Sequence, residues 1–225
     1  QASGWETEAV VPVFEKFVRK TVDALKEYCT LWCTLNEPTG YALNGYVAGN
    51  KDSFPPGKNS LKLAMQVQAN LIRGHAAAYR VIHEIQPEAQ VGVATNYRSL
   101  FPAHSWNLLD RLPRNTFDQI FNRAFNDCLA TGKLNLVLKK KTLPGTAGTQ
   151  DFIGLNYYTR DLVAFNLFKP GALFSDRSFP KDAAVSQTGF LANVPAGMWD
   201  GLKWAHSYDL PIIVTENGVE DEPDT

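Results

Sequence analysis

Two glutamates close two apolar runs, Glu37 in TLNEP (Thr34 to Pro38) and Glu216 in IIVTENG (Ile212 to Gly218). Taken singly, either is most simply a helix cap or half of an ion pair. At the mouth of one pocket they mean more. Each loses solvation there, and the charge of one pushes the two protonation equilibria apart. An acid that keeps its proton beside a carboxylate that has lost its own is what glycoside hydrolysis needs. The acid protonates the leaving oxygen, and the carboxylate meets the oxocarbenium-like centre. A gap of about 5–5.5 Å makes the second group a nucleophile and retains configuration, whereas a wider one admits an inverting water.

The elements around the glutamates must bring them together. In AVVPVFEKFVRKTVDALKEY, apolar residues at Val10, Val13, Phe14, Phe17, Val18, Val22 and Leu25 repeat with helical spacing. Thr7 is the expected cap, and Pro12 falls in the first turn. TLWCTLNEP then reads as a strand. A long helix is predicted over Ser60 to Gln86, stopped by Pro87, followed by a second strand in AQVGVATNY. A helix over Asn115 to Ala130 precedes a third strand, DFIGLNYYT, and one over Pro195 to Tyr208 precedes a fourth, LPIIVTENG.

Strands alternating with helices give right-handed βαβ units and a parallel sheet. All four strands turn polar only at their ends: Asn36–Glu37, Thr95–Asn96, Asn156–Tyr157–Tyr158 and Thr215–Glu216–Asn217. The carboxyl ends of parallel strands line the ligand site, so these tips describe one pocket. No glycine-rich phosphate loop follows any strand, which favours a (β/α) barrel over a nucleotide fold. The connections Thr39 to Asn59 and Arg160 to Val194 are too long for simple turns and are expected to carry function or structure of their own.

Composition narrows the partners. The 225 residues are 44% hydrophobic and 20% charged with a net charge of −1, which offers no electrostatic attraction to nucleic acid or anionic membrane. No apolar run reaches the length of a membrane span. Cys29, Cys33 and Cys128 are an odd number without CxxC spacing, and are read as reduced apolar fillers rather than a disulfide or zinc framework. No Asn-x-Ser/Thr acceptor occurs, which leads to the expectation of a cytoplasmic protein. His75, His83, His104 and His206 have no metal-ligand spacing. His75 and His83 are read as ordinary residues of one helix.

LWCTLNEP and IIVTENG resemble the two signature motifs of glycoside hydrolase family 1, the β-glucosidase and β-galactosidase family. Gly4–Trp5, GHAAAYR (Gly74 to Arg80), VGVATN (Val91 to Asn96) and DFIGLNYYT (Asp151 to Thr159) fall in family order. The resemblance covers essentially the whole chain and implies a (β/α)₈ barrel, a retaining mechanism and no cofactor or metal. It implies Glu37 as acid/base and Glu216 as nucleophile. Asn36 is similar to the asparagine that holds the sugar 2-hydroxyl, and Tyr158 to the tyrosine that hydrogen-bonds the nucleophile. Asn156 is expected to line the same pocket. For Asn156 and Asn96, a purely structural place at the strand end is an equal alternative.

By the same resemblance the chain holds strands four to seven of the barrel. Residues 1–225 are then expected to be part of a single catalytic domain, truncated at both ends, from a protein roughly twice as long. The other strands would bring further sugar-binding groups, so little activity is expected of the isolated chain. In ANVPAGM the family commonly has an acidic residue after the proline, so packing there is expected to differ. The implied substrate is a β-linked glycoside, with glucose, galactose and 6-phospho sugars all open and the oligomeric state unknown. Phe54, Phe168, Phe174, Phe179 and Trp199 in and beside the long loops are candidates for stacking on an aglycone. Two alternatives stay open. One is transfer of the sugar to a glycoside or glycolipid acceptor; the other is a non-catalytic carbohydrate-binding relative.

Overall fold

A computed structural model describes residues 4–49, 54–137 and 139–220. Helix α1 (Val10–Leu25) starts with Pro12 in its first turn. Its cap is Ala9 rather than Thr7; the Thr7 hydroxyl instead accepts from the Ala9 amide at 3.2 Å, one turn earlier in the chain. Strand β1 (Leu31–Asn36) follows, and Pro38 opens a short helix, α2 (Pro38–Leu43), that runs into a π turn at Asn44–Ala48. Helix α3 (Leu61–Ile85) is capped by Ser60, whose hydroxyl accepts from the Leu63 amide at 3.3 Å. The helix ends two residues before Pro87, as the ring demands.

Strand β2 (Gln90–Pro102) leads to α4 (Arg111–Asp118), a π turn at Gln119–Arg123, and α5 (Ala124–Thr131). This helical stretch begins four residues before the expected Asn115. Pro113 sits in its first turn, where a missing amide proton costs little. A small hairpin, β3 (Lys133–Asn135) with β4 (Lys140–Thr142), precedes β5 (Phe152–Phe165) and β6 (Ser175–Ser178). A second hairpin pairs β7 (Ala184–Val185) with β8 (Ala192–Asn193), before α6 (Ala196–His206) and β9 (Ile212–Asn217).

The parallel strands lie in the order β1-β2-β5-β9, each beside its successor, in a curled half-barrel sheet. Helices cover its convex side. Val18 and Val22 of α1 meet Ala78, Val81 and Ile82 of α3 and Val91 of β2. A second cluster joins Leu71 and Ile72 to Phe125 and Leu129 of α5, and a third joins Ile153 and Leu155 of β5 to Trp204 of α6. Each fully buried Leu, Ile or Phe contributes about 1.5–3 kcal/mol. The chain can approach closely where the side chain vanishes: a Cβ on Gly74 of α3 would lie 2.6 Å from the Trp5 ring.

Strands β2 and β5 run well past the expected Tyr97 and Thr159. Arg98, Arg160 and Asp161 read as the end of a strand, but their charges are paired across it. Arg98 donates from Nη2 to Asp161 Oδ1 at 3.2 Å, and Arg160 bonds Asp200 at 2.7 Å and the Ser99 hydroxyl at 2.9 Å. Paired ions let the ladder continue, and β6 adds to β5 antiparallel at Leu162 to Phe165. The ladder between β2 and β5 slips at Arg98, whose amide and carbonyl are taken by the Asn122 side chain at 3.0 and 2.9 Å. Asn122 reaches them from the π turn. Among the described residues no helix is long and apolar enough to cross a membrane.

Candidate active site

The strand tips converge as the alternation required. Asn96 of β2 stands opposite Asn156 of β5, and Asn156 opposite Glu216 of β9. Asn36 of β1 lies opposite Ala94. Glu37 follows β1 directly in the left-handed conformation, φ 46° and ψ 49°, and precedes Pro38 of α2. Its amide donates to the Ala94 carbonyl at 2.8 Å, and its carbonyl accepts from the Tyr41 amide at 2.9 Å. This turn aims the carboxylate across the sheet instead of along the strand.

Two amides meet that carboxylate. Asn156 Nδ2 donates to Oε1 and Asn96 Nδ2 to Oε2, each at 3.1 Å. Asn156 is completely buried and fully used: its Nδ2 also donates to Asn36 Oδ1 at 3.1 Å, and its Oδ1 accepts from the Thr215 hydroxyl. Asn36 itself is exposed, with its side chain held toward the concave face by that bond. Two residues along β5, on the same face, the Tyr158 phenol donates to Glu216 Oε2 at 2.7 Å. This bond, then burial, then the charges of Glu216 and Glu37 push the phenol up to about 12, so it stays a donor across the neutral range. Asn217 turns away, its Nδ2 donating to the Tyr157 carbonyl at 2.7 Å.

The five residues singled out from the sequence fall into two hydrogen-bonded sets on neighbouring strand tips, Glu37 with Asn156 and Asn36, and Glu216 with Tyr158. Asn96, for which a structural place and ligand contact were equal alternatives, joins the Glu37 set, as does Thr215, whose bond to Asn156 the sequence reading missed. Their signal was present, since both are polar residues at the tips of apolar strands. The histidines have other partners. Buried His75 must donate from Nε2 to the Thr149 carbonyl at 2.6 Å, so its Nδ1 accepts from the Thr34 hydroxyl at 2.6 Å. Burial holds its pKa down at about 4. His83 meets Asp151 at 2.9 Å and His104 meets Asp110 at 2.9 Å. Among the described residues no three metal-ligating side chains cluster.

At ANVPAGM, helix α6 starts at Ala196 without a side-chain cap or an acidic residue in its first turn. The Tyr157 phenol donates to the Val194 carbonyl at 2.5 Å, and a Cβ on Gly197 would lie 1.9 Å from the phenol oxygen. The segment is therefore anchored by Tyr157, the residue between the two site residues of β5. Of the five loop aromatics, Phe54 lines a cleft beside Tyr158; Phe174 stacks on Phe165 and Trp199 lies under Lys203.

The profile of Glycosyl hydrolase family 1 matches residues 1–225. A β-galactosidase of Pyrococcus woesei is 29% identical over 99% of this chain and 48% of its own length. β-Glucosidase A of Thermotoga maritima is 28% identical over 96% of this chain and 50% of its own. In structure, a β-glycosidase from Pyrococcus horikoshii superposes with a TM-score of 0.83 at 31% identity, over 96% of this chain and 48% of that one. The chain spans about half the length of these relatives, and its half-barrel sheet is the corresponding part of their (β/α)₈ barrel. The chain belongs to glycosyl hydrolase family 1, a family of glycosidases.

Proposed function

We propose that the protein carrying this chain is a retaining β-glycoside hydrolase, and that residues 1–225 are part of its single catalytic barrel domain. One observation carries the reading: alternate residues on one face of β5 hold the two carboxylates, Asn156 on Glu37 and Tyr158 on Glu216. Glu216 is the nucleophile. Tyr158 fixes its Oε2, and the other oxygen attacks the anomeric carbon as the leaving oxygen takes a proton from Glu37. The C–O bond to the aglycone breaks and an ester to Glu216 forms. Glu37, now ionised, takes a proton from water, which attacks the same carbon and releases the sugar and the Glu216 carboxylate. Asn36 binds the 2-hydroxyl, and Asn156 keeps Asn36 and Glu37 in mutual register.

The substrate is a β-linked glycoside such as a glucoside or galactoside. Transfer to a sugar acceptor would use the same ester, and product analysis with added acceptor separates the two outcomes. The test is to incubate the complete protein with an activated 2-fluoro β-glucoside and to map its peptides. A stable sugar ester on the peptide holding Glu216 is expected. Turnover of ordinary β-glycosides with inverted product, or an ester on another residue, would sink the assignment.

A further inference from the structure

The two oxygens of the Glu37 carboxylate are held in different ways. Oε1 meets Asn156, whose side chain is completely buried and has no freedom left. One proton of its Nδ2 goes to Glu37 Oε1 and the other to Asn36 Oδ1, while its own Oδ1 accepts from the Thr215 hydroxyl. A half-turn of this amide would set its oxygen against two acceptor oxygens. Oε1 therefore always faces an N–H, which suits the carbonyl end of a protonated acid.

Oε2 has a freer partner. Asn96 Nδ2 donates to it at 3.1 Å, and among the described residues this is the only hydrogen bond of the Asn96 side chain. On another flank stands buried Gly40 of α2, where a Cβ would lie 3.7 Å from Oε2 and 3.8 Å from Asn96 Nδ2, so no side chain adds a second donor there. Among the described residues no Lys, Arg or His pairs with Glu37. Across from it stand Tyr158 of β5 and Glu216 of β9, and the phenol feels the charge of both carboxylates. Tyr41 is the titratable residue of α2, while Tyr97 and Arg98 of β2 turn to Trp204 and Asp161 and Cys33 of β1 bonds the Leu35 carbonyl. A neutral amide in this position favours the ionised oxygen without cancelling its charge.

We infer that Oε2 is the oxygen of Glu37 that gives and takes the proton, and that Asn96 is the positioning residue that serves it in both steps. The inference rests on the glycosidase reading above and deepens it. In the first step the Oε2–H bond breaks as its proton passes to the leaving oxygen, the C–O bond to the aglycone breaks and the ester to Glu216 forms. The Asn96 amide stabilises the charge left on Oε2. In the second step Oε2 takes a proton from water, whose oxygen bonds the anomeric carbon as the ester bond breaks. Asn156 holds the group still through Oε1, and Asn96 tunes the oxygen that reacts.

The experiment measures pH–rate profiles of the complete protein, wild type and variants, on two β-glycosides of the same sugar. With an alkyl leaving group, departure needs the proton of Glu37, so the alkaline limb of kcat/KM reports its loss. With a dinitrophenyl leaving group, departure needs no proton and kcat reports ester hydrolysis, so the acid limb of kcat reports the ionisation of Glu37. Asn96→Ala should move both limbs to higher pH, by about half a unit or more. The acid limb of kcat/KM, which reports the ionisation of Glu216, should stay in place. Asn96→Asp has the same shape, loses the donor and adds a like charge, so its two Glu37 limbs should move further up; it carries the test if the alanine variant does not fold. Glu37 limbs that stay put in a folded variant overturn the proposal, as does an equal shift of all three limbs in Asn96→Ala. If wild type forms no ester on Glu216 with the 2-fluoro glycoside, the glycosidase reading fails and takes this one with it. An ester on Glu216 with unmoved limbs leaves that reading standing and removes only the role of Asn96.

Discussion

The middle of the sheet and its two edges are built differently. Strands β2 and β5 are long, buried and paired on both sides, while β1 and β9 have only six residues each. On the edges Leu31 and Val214 stay about half exposed. Both proposed catalytic carboxylates belong to the edge strands, and the groups that hold them, Asn96, Asn156 and Tyr158, belong to the middle. The proposed reactive groups thus stand on the outer strands of this half-barrel and are aligned by side chains of the two inner ones. Preorganisation in this site is a property of β2 and β5.

If that division of labour is right, damage to the middle should hurt more than its chemistry suggests. Asn156→Ala should have the largest effect. It removes a buried group and takes one hydrogen bond each from Glu37 Oε1, Asn36 and Thr215, each bond worth about 0.5–1.5 kcal/mol. In the complete protein, kcat/KM for an aryl glycoside should fall on the order of a hundredfold, with Tm lower by several degrees. Tyr158→Phe deletes one charge-assisted bond at one carboxylate and should lower kcat about tenfold, through slower ester formation at Glu216 and little change in Tm. Steady-state kinetics and calorimetry on both variants test the ranking. A larger loss for Tyr158→Phe would place the organising role on the Glu216 side of β5 rather than at Asn156.

The smallest effect on activity, and a pH-dependent one on stability, is expected at the outer tie. His75 links Thr34 of β1 through α3 to Thr149, ahead of β5. Folded, it takes its proton only near pH 4; unfolded, near 6.5. The unfolded chain therefore binds more protons in that window, so stability rises from pH 4 to 6.5 and is level above. The full span corresponds to roughly 3 kcal/mol. Melting scans of wild type and His75→Gln from pH 4.5 to 7.5 should show a flatter acid limb in the variant. Equal slopes would move the acid sensitivity to other groups.

Much of this was legible in the residues. Apolar runs with polar tips located four strands and one site edge, because a strand buried on both faces tolerates polarity only where it leaves the sheet. The extensions of β2 and β5 were hidden by Arg98, Arg160 and Asp161, whose pairing is a tertiary fact. The role of Asn96 was hidden because an asparagine at a strand end looks the same whether it donates to a carboxylate or to water. The hairpin over Ala184 to Asn193 carries no strong alternation, so it could not be read in advance.

Glu37 occupies a backbone region that resists every side chain but glycine's, at roughly 1–2 kcal/mol. Set against that strain are the two amide bonds its carboxylate accepts, from Asn156 and Asn96. Glu37→Gly would relax the backbone and at the same time take one acceptor each from the Asn156 and Asn96 amides. The turn gives up local backbone ease and gains a carboxylate aimed across the sheet.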